Sequence, residues 1–392
     1  DRVELTTITT NAIQLNGSGT MAVRSSLMEG NGHEGVLVRG AGLQIIDSRI
    51  TGNGVLDEAD PRSGLVAAGG VGQRIELWNS TVEGNRQHGI DLDDWQGVFE
   101  LHGSTVTGNR EDGIRTVGAQ RIVFEEVEVA RNLAAGARLS DTVSEVWTTK
   151  FDNNVGAGLT IDGGFPAVEM SHFSGNGLVL HDVDVGSVRD NVFESTAVAL
   201  LSSQSAPQII GNTFTGNVTA LRVSSSPVPS PITGNTFVTN TTAIDNRSGI
   251  LLSAQGNYWG TTDSTAIAGL LAGEVDFSAF LDDDVATAVT ASVDEALPQR
   301  FALRQAWPNP FNATTTIAFD LATAAAVELA VYDILGQRLR DLSPAPSLDA
   351  GSYTVRWDGR DNRGQGVASG LYFYHLRTDA GFRAAGRVVL TR

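Results

Sequence analysis

Asp91, Arg115 and Arg138 follow one another at intervals of 24 and 23 residues, each two places after a glycine in GID, GIR and GAR. A carboxylate beside one guanidinium, with a second guanidinium beyond, is equipped to bind an anion and move a proton next to it. His88, Asp93, Asp94, Glu111 and Asp112 stand close by in the chain. Asp93, Asp94 and Asp112 offer the hard oxygen ligands that Ca2+ takes, and Ca2+ held there would face an acidic sugar. Asp91, Arg115 and His88 are therefore the candidate catalytic groups, and Arg138 a candidate substrate-binding group. The same pattern also describes a solvated ion pair worth ~0–1 kcal/mol.

A second set repeats at similar intervals: Glu76 with Glu100, and Trp78, His102, Glu125 and Trp147. Two carboxylates ~5 Å apart fit retaining glycoside hydrolysis. Exposed indoles suit stacking on sugar rings. Trp95, just after Asp-Leu-Asp-Asp, is a third candidate platform, so Trp78, Trp95 and Trp147 are the expected sugar contacts.

These intervals belong to a repeat that runs through most of the chain. TVEGNRQHGIDL (81–92) returns as TVTGNREDGIRT (105–116). The turn asparagines Asn31, Asn53, Asn85, Asn109, Asn132, Asn154 and Asn176 are spaced 22, 32, 24, 23, 22 and 22. The unit then shifts to Asn191, Asn212, Asn235 and Asn257, spaced 21, 23 and 22. Three residues before the first anchors stand Met28, Ile50, Val82, Val106, Val129, Phe151 and Phe173; eight before stand Val23, Ile45, Leu77, Leu101, Phe124, Val146 and Val168. Within each short run the apolar residues alternate, the strand period. Three short strands per ~22 residues describe one coil of a parallel β-solenoid with ~4.8 Å between rungs. About ten or eleven coils fit before Gly260. The asparagines hold turns, tolerate a left-handed backbone and can form a hydrogen-bonded ladder. The one long insertion, 55–64, carries Asp57, Glu58 and Asp60. Long turn insertions are where solenoids build binding sites. Because NAIQL (11–15) already matches a rung strand, with no amphipathic cap before it, the expectation is that coils continue upstream of Asp1.

Composition agrees. The 392 residues include 44 Gly, matching a turn-rich chain, and no Cys, which excludes disulfides, thiolate ligands and Cys nucleophiles. The net charge of −18 divides into −21 over residues 1–299 and +3 over 300–392, a domain-boundary signal. An acidic chain argues against non-specific nucleic-acid binding, and no apolar run is long enough for a membrane span. Gly30–Gly35 matches G-x-G-x-x-G, but a strand rather than a helix follows, so it is a repeat turn.

The coil pattern, the phrase GN-x-x-G-[IV]-x-[LV] and the terminal GNYWG resemble the right-handed parallel β-helix proteins of the pectate-lyase-like superfamily. That resemblance implies the fold alone, since the superfamily holds lyases, hydrolases, epimerases, binding proteins and adhesins. The phrases PNPFN (308–312), VYDILGQ (331–337), WDGRDNRG (357–364) and SGLYFY (369–374) resemble the C-terminal sorting domain of type IX secretion cargo, a family that overlaps a flagellar hook-cap-like Ig module. The resemblance implies a small β-sandwich read by an outer-membrane translocon through residues 300–392. It also implies export to the surface or medium of a diderm bacterium, with removal of the domain afterwards. Arg383, Arg387 and Arg392 occupy the place where the family carries basic residues around its last strand.

The expected architecture is all-β: a right-handed parallel β-helix over 1–260, a cap and acidic linker over 261–299, and an Ig-like β-sandwich over 300–392. The expected function is a secreted or cell-surface protein that binds, and in the fuller reading processes, a polysaccharide. The alternative is a non-catalytic adhesin or structural stalk. If it is an enzyme, it is a polysaccharide lyase, epimerase or glycoside hydrolase.

Overall fold

The computed structural model describes residues 4–55, 62–183, 185–281, 290–291 and most of 301–391; positions 305, 308, 310, 313, 334–336, 344–347 and 380–381 are not among them. The chain divides into two compact units, 1–283 and 284–392.

The first unit is a solenoid of three parallel sheets, whose strands recur in strict rotation. Among the described residues, sheet A has 11 strands from Glu4–Thr6 to Thr236–Val238. Sheet B has 12 from Ile13–Asn16 to Leu271–Ala272, and sheet C has 10 from Thr20–Arg24 to Ile232–Thr233. The inward side chains are the apolar columns of the repeat. Met28, Ile50, Val82, Val106, Val129, Phe151 and Phe173 are all buried, and so are Val23, Ile45, Leu77, Leu101, Phe124, Val146 and Val168. From Phe151 onward the sheet A column turns aromatic. Phe151, Phe173, Phe193, Phe214, Phe237 and Trp259 stack with ring centroids 4.7–5.0 Å apart, one rung each. Phe277 closes the stack edge-on against Trp259, beside a short helix, Ser264–Gly269, capped by Asp263.

The asparagines form two ladders rather than one. At the A-to-B corner, each Nδ2 donates to the next Oδ1 from Asn31 through Asn53, Asn85, Asn109 and Asn132 to Asn154, at 2.8–3.1 Å. The ladder breaks at Asn176, where only three residues separate strands His172–Ser174 and Leu178–His181, against six in the coil before. It resumes as Thr196, Asn217 and Asn240. Asn191, Asn212, Asn235 and Asn257 ladder at the C-to-A corner instead. They extend a column in which Ser48 and Ser80 hydroxyls take the same part. The left-handed residue is the one before each asparagine, such as Gly84, Gly108 and Arg131, and not the asparagine itself. The glycine of the GI phrase has its own reason: at Gly113 a Cβ would lie 2.6 Å from both Gly136 O and Asn132 Nδ2.

His–carboxylate pairs also bridge neighbouring coils. His181 Nδ1 lies 3.0 Å from Asp162 Oδ1 in the adjacent strand, and that hydrogen bond raises the imidazole above its ordinary 6.5. A raised pKa means that the bridge is fully present below about pH 6.5 and is lost as pH climbs through the higher folded value. NMR titration should show His181 titrating above a free imidazole, and Asp162→Asn should lower it toward the ordinary value, Asp182 and Gln204 still holding it up in part. A wild-type His181 that titrates at or below 6.5 would contradict the bridge.

The second unit contains two four-stranded antiparallel sheets. One is ordered Thr290–Ala291, Gly351–Trp357, Thr315–Leu321, Ala302–Leu303; the other Arg338–Asp341, Val327–Tyr332, Gly370–Thr378, Arg383–Leu390. Their inner faces share a core that includes Ile317, Phe319, Leu329, Val331, Trp357 and Tyr374. The sequence phrases have structural work to do. Asn309 of PNPFN accepts from Val389 N at 2.8 Å and donates to Arg387 O at 3.0 Å, pinning the last strand. WDGRDNRG closes a hairpin through the Arg360–Gly366 bridge, with Asp361 accepting from Arg363 N and Gln365 N. Arg383 and Arg387 are exposed on the edge strand. Arg392 and the acidic linker at 282–289 and 292–299 lie outside the described residues.

Candidate functional site

Two outward-facing clusters occupy the same coils. The first is on sheet B. Parallel pairing sets Val66, Asp91, Arg115, Arg138 and Thr160 side by side on successive rungs. Arg115 Nη1 donates to Asp91 Oδ1 at 2.9 Å, and its Nη2 lies 3.7 Å from Asp93. Arg138 Nε donates to Asp112 Oδ2 at 2.9 Å, and Asp112 Oδ1 also accepts from Ala135 N at 2.8 Å. His88 is nearly buried, with Nε2 3.1 Å from Glu111 and Nδ1 4.0 Å from Asp112. Burial pushes the Asp91 carboxyl up; Arg115 and His88 pull against that rise without cancelling it. Of the groups expected to be catalytic, Asp91 and Arg115 are thus paired with each other, while His88 lies against Glu111 and Asp112.

The expected Ca2+ ligands do not converge. Asp93 is exposed and faces Arg115, Asp94 accepts from Gln96 Nε2 at 3.2 Å, and Asp112 is committed to Arg138 and a backbone amide. Among the described residues, no group of three or more His, Asp or Glu is placed to hold a metal ion. Asp57, Glu58 and Asp60 of the insertion lie outside the described residues. Trp95 is not a surface platform. The strand carries a bulge between Leu92 and Trp95, with Asp94 at φ 55°, and this turns the indole into the core at 0% exposure, over Gly70 and Gly97.

The second cluster is on the outer face of sheet C, over strands Arg74–Trp78, Val98–His102, Arg121–Glu125 and Val143–Trp147. Glu76 pairs in register with Glu100, and Trp78, His102, Glu125 and Trp147 form a column beside them. Arg74 Nη1 lies between the two carboxylates, 2.8 Å from Glu100 Oε2 and 3.3 Å from Glu76 Oε1. Gln44 Nε2 donates to Glu76 Oε2 at 2.6 Å. The Trp78 and His102 rings stack at 3.9 Å and 14°, while Trp78 stays 39% exposed. His102 Nδ1 is 3.0 Å from Glu125. Arg121 grips Glu145 with two bonds of 2.9 and 2.7 Å. Beyond these coils the central outward column of sheet C is Gln44 and then Ala22 on one side and Ala167, Ser187 and Gln208 on the other, while the flanking columns continue with Phe165, Glu169 and Arg189.

Arg74, Arg121, Gln44 and Glu145 were not singled out from the sequence. The signal was available, since Arg74 and Arg121 lie two intervals apart in one column, and Glu100 and Glu145 in another. What was missing is that side chains two apart on a strand share a face, which puts Arg74 onto its own neighbour Glu76.

The handedness comes from comparison with known families. Residues 93–258 match the family model described as right handed beta helix region. The solenoid is a right-handed β-helix. Residues 306–381 match the FlgD Ig-like domain, and so the antiparallel unit after the β-helix is Ig-like. No curated protein matches the chain. Among solved structures, the tailspike protein gp49 of Pseudomonas phage LKA1 aligns at 10% identity and TM-score 0.31, over 99% of this chain and 67% of its own. A tailspike gp49 from Acinetobacter baumannii bacteriophage Fri1, described as a capsular polysaccharide depolymerase, aligns at 10% and 0.33, over 93% and 64%. PorZ, a surface component of the type-IX secretion system of Porphyromonas gingivalis, aligns at 21% and 0.17, over 24% of this chain and 11% of its own. No helix among the described residues is long and apolar enough to cross a membrane.

Proposed function

We propose that the β-helix binds a polysaccharide along the outer face of sheet C, over Trp78, His102, Glu100, Glu125 and Trp147. The observation that carries this reading is the exposed Trp78–His102 ring stack, set beside Glu76, Glu100 and Glu125 on neighbouring rungs of one outward face. An extended polymer laid along the helix axis meets one such rung every ~4.8 Å. Trp78 offers exposed indole for sugar C–H groups, and the carboxylates and Gln44 offer hydrogen-bond partners for hydroxyls. Processing of the bound chain has less support. Retaining hydrolysis needs the sugar between its two carboxylates, and Arg74 fills the space between Glu76 and Glu100. Binding without chemistry suits an adhesin as well as a carbohydrate-binding module.

The sheet B cluster is read as a strut between coils. Asp91→Ala should cost ~0–1 kcal/mol and Arg115→Ala about 1–3 kcal/mol, because it strands the largely buried Asp91 carboxylate; both should leave glycan affinity within about two-fold, and loss of binding in either variant would move the site to sheet B. Trp78→Ala is expected to weaken glycan binding by roughly 10-fold or more, as loss of an aromatic anchor does. Calorimetric titration of wild type and variant with a polysaccharide panel measures it, and equal affinities would overturn the sheet C reading.

Residues 300–392 are read as the signal that exports the protein by type IX secretion to the cell surface or medium. The phrases of the Ig-like unit and its basic edge strand support this. Fusing 300–392 to a reporter in a host with that system should send the reporter outside; retention in the periplasm would contradict it.

A further inference from the structure

We infer that the sheet C face selects polysaccharides whose sugars carry primary ammonium groups over uronate polymers, an inference that rests on the reading of sheet C as the glycan face. The cations on its four strands are already committed. Arg74 is shared by Glu76 and Glu100, and Arg121 is held bidentately by Glu145. A uronate chain would therefore meet carboxylates without a free guanidinium to receive it, the reverse of the acidic-sugar site that the sequence suggested on sheet B.

Glu125 is the group left to act. Its side chain is 51% exposed, and its polar contact among the described residues is His102 Nδ1. In register it stands between the His102 ring on one coil and the Trp147 ring on the next, with Trp78 one coil further. His102 Nε2 is buried 3.6 Å from Glu100, without a hydrogen bond among the described residues, so the patch also holds an unspent polar atom. A hexosamine ring packed on these aromatics brings its C–H face to the rings and its ammonium to the carboxylate. The ammonium gains further from the indole π-system. A carboxylate-bearing sugar in the same pose would place like charges a few ångströms apart, well inside the ~8 Å over which salt at 0.15 M screens exposed charges.

Hexamers of glucosamine, N-acetylglucosamine and galacturonate, titrated into the full chain at 0.15 M salt with tryptophan fluorescence as readout, test this. The expected result is that the glucosamine hexamer binds roughly 10-fold tighter than the N-acetylated one, while the galacturonate hexamer does not bind. Glu125→Gln should remove that advantage and leave N-acetylglucosamine affinity unchanged. Glu29→Gln makes the same charge change at an exposed position on sheet A, and should leave the advantage intact, which separates a local contact from the general attraction of an acidic protein for a polycation. Equal binding of the two hexosamine hexamers, both lost in Trp78→Ala, would overturn the ammonium selectivity and keep the glycan face. An equal loss in Glu29→Gln and Glu125→Gln would overturn it as well. No response to any hexamer would overturn the glycan face itself.

Discussion

Asn109→Ala is expected to destabilise the solenoid by about 3–5 kcal/mol. Asn109 is fully buried, and its amide serves both neighbouring coils. Oδ1 accepts from Asn85 N at 3.1 Å and Asn85 Nδ2 at 2.9 Å; Nδ2 donates to Asn132 Oδ1 at 2.9 Å and Val82 O at 3.4 Å. Truncation strands several buried polar groups at once, each costing ~1–3 kcal/mol when water cannot reach it. Asn109→Asp should be no better. It keeps the acceptor side, but puts an oxygen where Nδ2 now meets Asn132 Oδ1. Urea unfolding of the three proteins checks this. Because a solenoid is stabilised coil by coil, hydrogen exchange should rise first at Asn85 and Asn132. A loss below about 1 kcal/mol for the alanine variant, the size of one ordinary hydrogen bond, would mean that the ladder is ornamental.

The second large effect is in the aromatic column. Phe214 is fully buried between Phe193 at 4.9 Å and Phe237 at 5.0 Å. Phe214→Ala opens a cavity inside a column that repeats at rung spacing, and the rings above and below cannot collapse into it without leaving their own strands. The expected cost is about 3–5 kcal/mol, measurable by chemical denaturation. Phe214→Leu should recover most of it, since leucine refills most of the volume that alanine leaves empty. If leucine were as damaging as alanine, the column would owe its stability to ring stacking more than to the filling of space.

The inward side of the solenoid was legible because burial imposes a period. Met28, Ile50, Val82 and Val106 recur every coil, so their spacing could be read without coordinates. The asparagines were legible only in part. Asn176 and Asn191 are 15 residues apart, and that short interval was the sign that the column had changed corner. Trp95 departs from the alternation of its strand for a local reason. The bulge at Asp94 reverses the alternation that would otherwise have put the indole outside. For the clusters, register along a column was legible, as Asp91 with Arg115 and Glu76 with Glu100 show. The contacts across columns were not: the partner of Glu100 is Arg74, 26 residues back, and that of Asp112 is Arg138, 26 residues on. Such pairs depend on which way long side chains lean, and one sequence does not record it. The same contacts decide the chemistry, because they turn a supposed reactive carboxylate pair into one held by a guanidinium.

The most direct test of the glycan face is a crystal structure of the protein soaked with the hexosamine oligomer that binds most tightly. The account predicts sugar density along the outer face of sheet C, in contact with Trp78 and Glu125 and running along the helix axis over the strands from Arg74 to Trp147. Density on sheet A, on the Asp91–Arg115 cluster of sheet B or on the Ig-like unit, with Trp78 untouched, would contradict it.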